Sequence, residues 1–453
     1  MPGSKSVVRP VDSVWLEMDQ PDNLMIVEGL MVVDGDLDRE TYVELMRTRV
    51  VDVFPRFRQR AAWSWLPWPS RWWQDDPDFD LDRHITEETL PEPGDDAVLQ
   101  AHLAGYLSRA LDQRHPPWEV HLIHGYAGGT AIYTRLHHAL ADGTALMRVI
   151  MSLVDEEPPS VTVEESGSSL LRTATGVVRA LPGAGRFVTT PMVAEHLVMA
   201  RRPASPLSVA PHHDKVAVWA PPIEVADLRP LRHATGTTVT DVMMSALAGS
   251  LRRWLAEHGA DPTDDLPTMV PVDLRGSAAL KPDALGNQFA LVLLDLPTSV
   301  DTALGRLIET SLRMRALKES PEAWLTYSLL QAMGFLHARV RGLVTDFFAH
   351  KATGVTTSVR GPDEPLHLVG LPITRLWAWA PMSADQSFST SIIGYAGQIH
   401  LGFKVDATAV PDPQVLVAGV LAELAELMAL APPEAEVRSA ARRRARRPAA
   451  GGQ

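Results

Sequence analysis

The sequence predicts an α/β protein made of two domains of similar build. Three observations lead there. The chain has 453 residues, more than one ordinary hydrophobic core accommodates. Short β-branched apolar runs alternate with segments of helical periodicity in both halves. A stretch rich in Pro, Ser and Glu, at 156–169, separates the halves. The expected division is a first domain at 1–160, a linker at 161–215, a second domain at 216–432 and a disordered basic tail at 433–453.

In the first domain a helix starts around 11–18 and an apolar strand follows at 25–33. Asp38 is placed to cap a helix over 38–51. Trp63, Trp65, Trp68, Trp72 and Trp73 then fall within one short segment. Such a cluster reads as hairpin packing, with an apolar rim for a lipid as the alternative. Leu99, Leu103, Leu107 and Leu111 recur at helical spacing. Strands at 120–123 and 131–136 flank a turn containing Gly125, Gly128 and Gly129, and a helix follows Gly143.

The linker spaces Arg172, Arg179 and Arg186 among apolar residues with no acid at 170–188. It reads either as an interfacial amphipathic helix or as a helix bridging the domains. In the second domain helices are expected at 240–257, 299–317 and 327–348, and buried strands at 268–274 and 288–296. Strand signals recur at 394–405. The last helix spans 412–430, with Asp412 as its cap and Pro413 at its first position.

Composition narrows the function. The formal charge of −13 makes the chain a poor general nucleic-acid binder. It has no cysteine, which removes disulfides, thiolate metal sites and a Cys nucleophile, and fits a reducing cytoplasm. No apolar run approaches the ~18 residues of a spanning helix, so any membrane contact is expected to be peripheral.

The motif that carries chemistry is His137-His138-Ala139-Leu140-Ala141-Asp142-Gly143, at the end of a strand and the start of a helix. Successive strand side chains face opposite ways, so His137 and His138 do not readily chelate one metal. One imidazole can face a cavity while the other packs inside. A positioned imidazole titrates near neutral pH and can deprotonate an alcohol as it attacks a thioester. No GxSxG elbow is present, so no covalent acyl-enzyme is called for. Asp142 can orient the imidazole or hold the loop, and Gly143 permits close backbone approach. His212-His213-Asp214 has a similar look but falls in the linker.

With its neighbouring segments, this HHxxxDG motif resembles the bacterial wax ester synthase/diacylglycerol acyltransferase family. The likeness spans about 11–430. It rests on 54–60 (PRFRQR-like), Pro116-Pro117-Trp118-Glu119 (PLWE-like), Thr240-Asp241 (an Asn-Asp pair in the family), 270–275, Gly286-Asn287, 358–362 (NVPGP-like) and Tyr395-Ala396-Gly397. Departures are Pro117 for Leu, Thr240 for Asn, and Ser358 and Arg360 in the NVPGP-like loop.

The resemblance implies two chloramphenicol-acetyltransferase-like domains with mixed sheets and a substrate tunnel at their interface. It implies that His138 is the general base. His137, Asp142, Gly143 and Arg275 support it, with Asp142 paired to Arg275. Thr240, Asp241, Asn287 and Trp118 contact substrate. It also implies a long-chain acyl-CoA donor and a diacylglycerol or fatty alcohol acceptor. No permanently bound cofactor or metal and no nucleic acid is implied. The expected location is cytoplasmic, peripheral to the inner membrane face or lipid inclusions. Two other readings stay open. One is an acyltransferase of the same fold fed by a carrier-protein thioester. The other is a catalytically weak lipid-binding protein. Arg360 could meet CoA phosphates or be a solvated surface charge.

Overall fold

The structure, a computed structural model, describes residues 5–63, 71–141, 143–156, 203–273, 289–320, 322–333 and 350–431. The first half carries β1 (Lys5–Val7), α1 (Pro10–Met18), β2 (Ile26–Val33), α2 (Arg39–Met46), β3 (Gln59–Trp63), β4 (Arg71–Asp75), β5 (Ile85–Thr89), α3 (Asp96–Leu107), β6 (Trp118–Tyr126), β7 (Gly129–His137) and α4 (Gly143–Leu153). After the linker come β8 (Lys215–Trp219), β9 (Ile223–Glu224), α5 (Arg229–Thr235), α6 (Val239–Glu257), β10 (Leu266–Asp273), β11 (Phe289–Leu296), α7 (Ala303–Glu319) and α8 (Glu322–Met333). The chain closes with β12 (Gly354–Arg360), β13 (His367–Leu368), β14 (Leu371–Trp379), β15 (Phe388–Tyr395), β16 (Gln398–Asp406) and α9 (Gln414–Ala429).

These strands form two large mixed sheets and a small one. The first sheet runs β13-β14-β2-β7-β6-β5, antiparallel except for the parallel pair β5 and β6. The second runs β11-β10-β12-β15-β16-β8, with β9 also on β16. Its β10, β12 and β15 are parallel neighbours. The small sheet, β1-β4-β3, is antiparallel. The architecture is thus α/β with mixed sheets.

Local chemistry explains the edges of these elements. Asp38 caps α2 by accepting from the Thr41 N–H at 2.9 Å. The β6–β7 and β15–β16 hairpins each turn over two residues with positive φ, Ala127-Gly128 and Ala396-Gly397, the geometry that suits the twist of paired strands. Leu99, Leu103 and Leu107 are buried on α3, while Leu111 lies beyond its end. The expected cap of the last helix is corrected. Pro413 is the N-cap with no side-chain bond, and Asp412 contributes only its carbonyl, to the Val415 N–H at 3.3 Å.

The two ends of the tryptophan segment lie on the antiparallel pair β3 and β4. Trp73 is fully buried on β4 beneath the Arg56 guanidinium, 4.3 Å from its ring centroid, and Trp63 at the other edge is exposed with Arg71 over its face. Trp65 and Trp68 lie outside the described residues, as do the 170–188 segment, the end of the helix expected at 327–348, and the basic tail. No helix among the described residues is long and apolar enough to cross a membrane.

The two halves are stitched together rather than merely adjacent. β13 and β14, from within 216–432, belong to the first sheet, where β14 pairs with β2. Burial of Leu376, Trp377 and Trp379 there repays the long crossover. The Tyr395 hydroxyl donates to the Ile373 carbonyl at 2.9 Å and accepts from the Leu366 N–H at 2.8 Å, tying the β15–β16 turn to the first sheet. Lys404 of the second sheet meets Glu28 of the first at 2.6 Å, both fully buried. Burial raises the Glu28 carboxyl and lowers the Lys404 amine, and each is countered by the other's charge.

Candidate active site

A cavity of about 480 Å³ lies between the two large sheets. The first sheet gives it Val27, Met31, Ile132, Leu136 and Leu376, and the second gives Met269, Leu291, Val355, Val359 and Ile393. Tyr42, Met46, Phe57, Trp118, Val149 and Leu153 line it as well. The wall is chiefly aliphatic and aromatic, with polar groups His138, Glu28, Thr134, Thr357, Ser358 and Ser383 and, at its border, Arg360. This is the character of a site for long apolar chains with a small reacting centre.

β7 ends at His137 and α4 opens at Gly143, so both histidines sit where a strand hands over to a helix. Leu136 and His138 line the cavity and His137 does not, as strand alternation requires. The His137 ring is fully buried. Its Nδ1 accepts the Ala139 N–H at 3.1 Å, which leaves the ring proton on Nε2, 3.8 Å from Asp19 Oδ2. Burial, with the neighbouring His138 and Arg71, pushes the His137 pKa down to about 3, so this ring is neutral at pH 7. Asp19 accepts from the Met25 N–H and the Gln113 side-chain amide, both at 2.7 Å. Burial nevertheless raises its pKa.

His138 is held from two directions. Its backbone N–H donates to the Met25 carbonyl at 2.8 Å. Its ring stacks on Trp15 of α1, with centroids 4.2 Å apart and planes 10° from parallel. Trp15 lines the cavity beside it. The sequence offered no signal for this partner, since the two residues are far apart in the chain and Trp15 reads as one more apolar position on α1.

The other candidates divide. Trp118 lines the cavity, donates from Nε1 to the Phe57 carbonyl at 2.8 Å and stacks on His84 at 4.4 Å. Its neighbour Glu119 accepts from Arg109 at 2.9 Å and from the buried Arg135. Thr240 lies 3.3 Å from Ser358, hydroxyl to hydroxyl, and Ser358 is in the cavity wall. Two departures from the family pattern therefore touch one another.

Asp241, expected to contact substrate, closes a capping box in the structure. Its carboxylate accepts the Thr238 N–H at 2.8 Å while its own N–H donates to the Thr238 hydroxyl, closing a capping box at the start of α6. Ser311 also donates to it, and it is absent from the cavity wall. Arg360 borders the cavity but its side chain is largely exposed and pairs with Asp363 at 2.7 Å. Asp142, Arg275 and Asn287 lie outside the described residues, and with them the expected Asp142–Arg275 pair. His212 and Asp214 are exposed and lie 3.8 Å apart, away from the cavity.

Comparison with known proteins matches this geometry. The family model for the wax ester synthase/diacylglycerol acyltransferase catalytic domain covers residues 8–243, and that for the WS/DGAT C-terminal domain covers 285–428. A putative diacylglycerol O-acyltransferase of Mycobacterium bovis and a probable one of Mycobacterium tuberculosis are each 28% identical over 452 residues, covering 93% of this chain and 95% of theirs. The wax ester synthase/diacylglycerol acyltransferase of Marinobacter aquaeolei VT8 superposes with a TM-score of 0.68 at 23% identity, covering 94% of this chain and 98% of that one. The starter condensation domain of rhizomide synthetase, solved with C8-CoA, superposes at 0.61 with 15% identity over 95% and 94% of the two chains, a likeness of fold. The fold is the two-domain, chloramphenicol-acetyltransferase-like one. Spanned almost end to end by both domain models, the chain belongs to the wax ester synthase/diacylglycerol acyltransferase family and is an acyltransferase.

Proposed function

We propose that the protein moves a long-chain acyl group from acyl-CoA to the hydroxyl of a diacylglycerol or fatty alcohol, giving triacylglycerol or wax ester. The observation that carries this reading is one cavity-facing imidazole among the described residues, His138, in an apolar chamber between two sheets. In the reaction, the acceptor oxygen attacks the thioester carbonyl carbon while His138 takes the hydroxyl proton. The C–S bond then breaks, and the imidazolium returns that proton to the departing thiolate as CoA leaves. No bond to the protein forms. The long chains of donor and acceptor need apolar wall, which the cavity supplies from both sheets and from Tyr42, Met46, Phe57, Val149 and Leu153. The relatives' names support the diacylglycerol acceptor, and the C8-CoA complex of the condensation-domain neighbour supports a CoA thioester fitting this fold.

The acceptor test is one acyl-CoA with purified enzyme and a panel of long alcohols, monoacylglycerols and diacylglycerols, scored by CoA release and product mass. Release that depends on a long alcohol or a diacylglycerol supports the reading. Turnover only when acyl-carrier protein replaces acyl-CoA would transfer the site to carrier-fed chemistry. Lipid binding without turnover across the panel would make the chain a lipid-binding protein. The same reading puts the enzyme at a lipid surface from the cytoplasmic side, because its acceptors partition there. Cosedimentation with vesicles, with and without residues 434–453, tests that placement and the part of the basic tail. Polybasic segments gain roughly 1 kcal/mol per cation at anionic lipid.

A further inference from the structure

We infer that Trp15 is a positioning residue for the acyl transfer: its indole face sets the plane of the His138 imidazole. This rests on His138 being the base. The stacked pair is close and nearly parallel, at 4.2 Å and 10°, and both rings are buried in the cavity wall. An imidazole on a strand end has two soft side-chain torsions, and the second is broad unless something flat confines it. The backbone bond from the His138 N–H to the Met25 carbonyl fixes where the side chain starts but not how its ring is turned. The indole face, stacked on the ring, constrains that turn.

α1 is itself braced. Asp12, one turn before Trp15, is fully buried and its charge acts on Arg56. Arg56 lies over the Trp73 ring, and burial pushes its pKa down to about 10. On another side α1 packs against α8 from the second half of the chain. A helix anchored to the small sheet and to the far half of the molecule thus carries the flat surface on which the base rests. Arg56 belongs to the PRFRQR-like segment, so this brace gives that segment a task in the site beyond the place of Phe57 in the cavity wall.

The experiment compares wild type, Trp15→Phe, Trp15→Leu and His138→Ala in CoA release at saturating acyl-CoA and acceptor. Trp15→Leu keeps an apolar wall but removes the flat face. It should lower kcat on the order of ten- to a hundredfold, the usual scale for a misaligned catalytic group, with KM for acyl-CoA within about twofold of wild type. Trp15→Phe restores a flat face and should recover most of kcat. In parallel, the NMR signals of the His138 ring protons, identified by their loss in His138→Ala, should be shifted upfield by the indole in wild type. They should move toward ordinary values in Trp15→Leu. Unchanged kcat with raised KM in Trp15→Leu would make Trp15 only part of the wall and overturn the inference. Should Trp15→Leu fail to fold, Trp15→Phe and the wild-type spectrum still decide: a His138 ring without an upfield shift overturns it. If instead His138→Ala keeps turnover, the reading of the base fails, whatever the spectrum says about the stack.

Discussion

Acidification should expose the burial of His137, because its ring is sealed from water. His137 has an ordinary pKa of 6.5 when the chain is unfolded and about 3 when folded, with burial as the main cause. Its folded value is depressed, so the contribution is complete above pH 6.5 and is lost progressively as pH falls toward 3. Between pH 7 and pH 4 the unfolded chain gains a proton here that the folded chain refuses. At about 1.4 kcal/mol per pH unit, that interval removes about 3 kcal/mol of stability. Glutamine at 137 can still accept the Ala139 N–H and face Asp19, yet does not titrate. Urea unfolding followed by tryptophan fluorescence at pH 7, 5.5 and 4 should therefore show wild type losing about 3 kcal/mol more than His137→Gln across the interval. Asp19 and other acids titrate in both proteins, so the difference between them isolates the ring. Equal losses in the two would refute a buried, neutral His137.

Other consequences follow from particular contacts. Lys404→Met leaves the Glu28 carboxylate buried without its partner and should cost about 3–5 kcal/mol in urea unfolding, whereas Glu28→Leu with Lys404→Met should recover most of it; a double variant as unstable as the single would show that the pair is not what joins the sheets. Asp241→Ala should lower stability by about 1 kcal/mol with KM for both substrates unchanged, since it removes a helix cap; a large rise in KM would return Asp241 to the substrate site. Val149→Trp fills part of the cavity and should shift activity toward shorter acyl or acceptor chains, measured across a series of chain lengths; an unchanged profile would deny that wall a role in chain length.

Much of this was legible in the sequence, and the reasons are specific. The His137–Gly143 motif sits between a strong strand pattern and a strong helix pattern, and period-two alternation alone separates the two imidazoles. Asp38 and the turn at Ala127-Gly128 are local devices, visible in a few residues, whereas the turn at Ala396-Gly397 interrupts what reads as one strand at 394–405. What was not legible is what depends on distant partners. β14 joins a sheet begun more than 300 residues earlier, and no local pattern names β2 as its neighbour. The Trp15–His138 stack, the Glu28–Lys404 pair and the Thr240–Ser358 contact are of the same kind. Asp241 was expected at the substrate because an acid beside a family motif looks like a ligand. The capping box, Thr238 followed three residues later by an acid ahead of an apolar run, was the signal to weigh against it.

The central claim is that His138 alone takes the acceptor's proton in the cavity. The direct test is CoA release from palmitoyl-CoA in the presence of a diacylglycerol or a long alcohol, for wild type and His138→Ala, with folding checked by urea unfolding. The account predicts a fall on the order of a hundred- to ten-thousandfold in kcat for a variant that stays folded. A folded His138→Ala that turns over near the wild-type rate would contradict it.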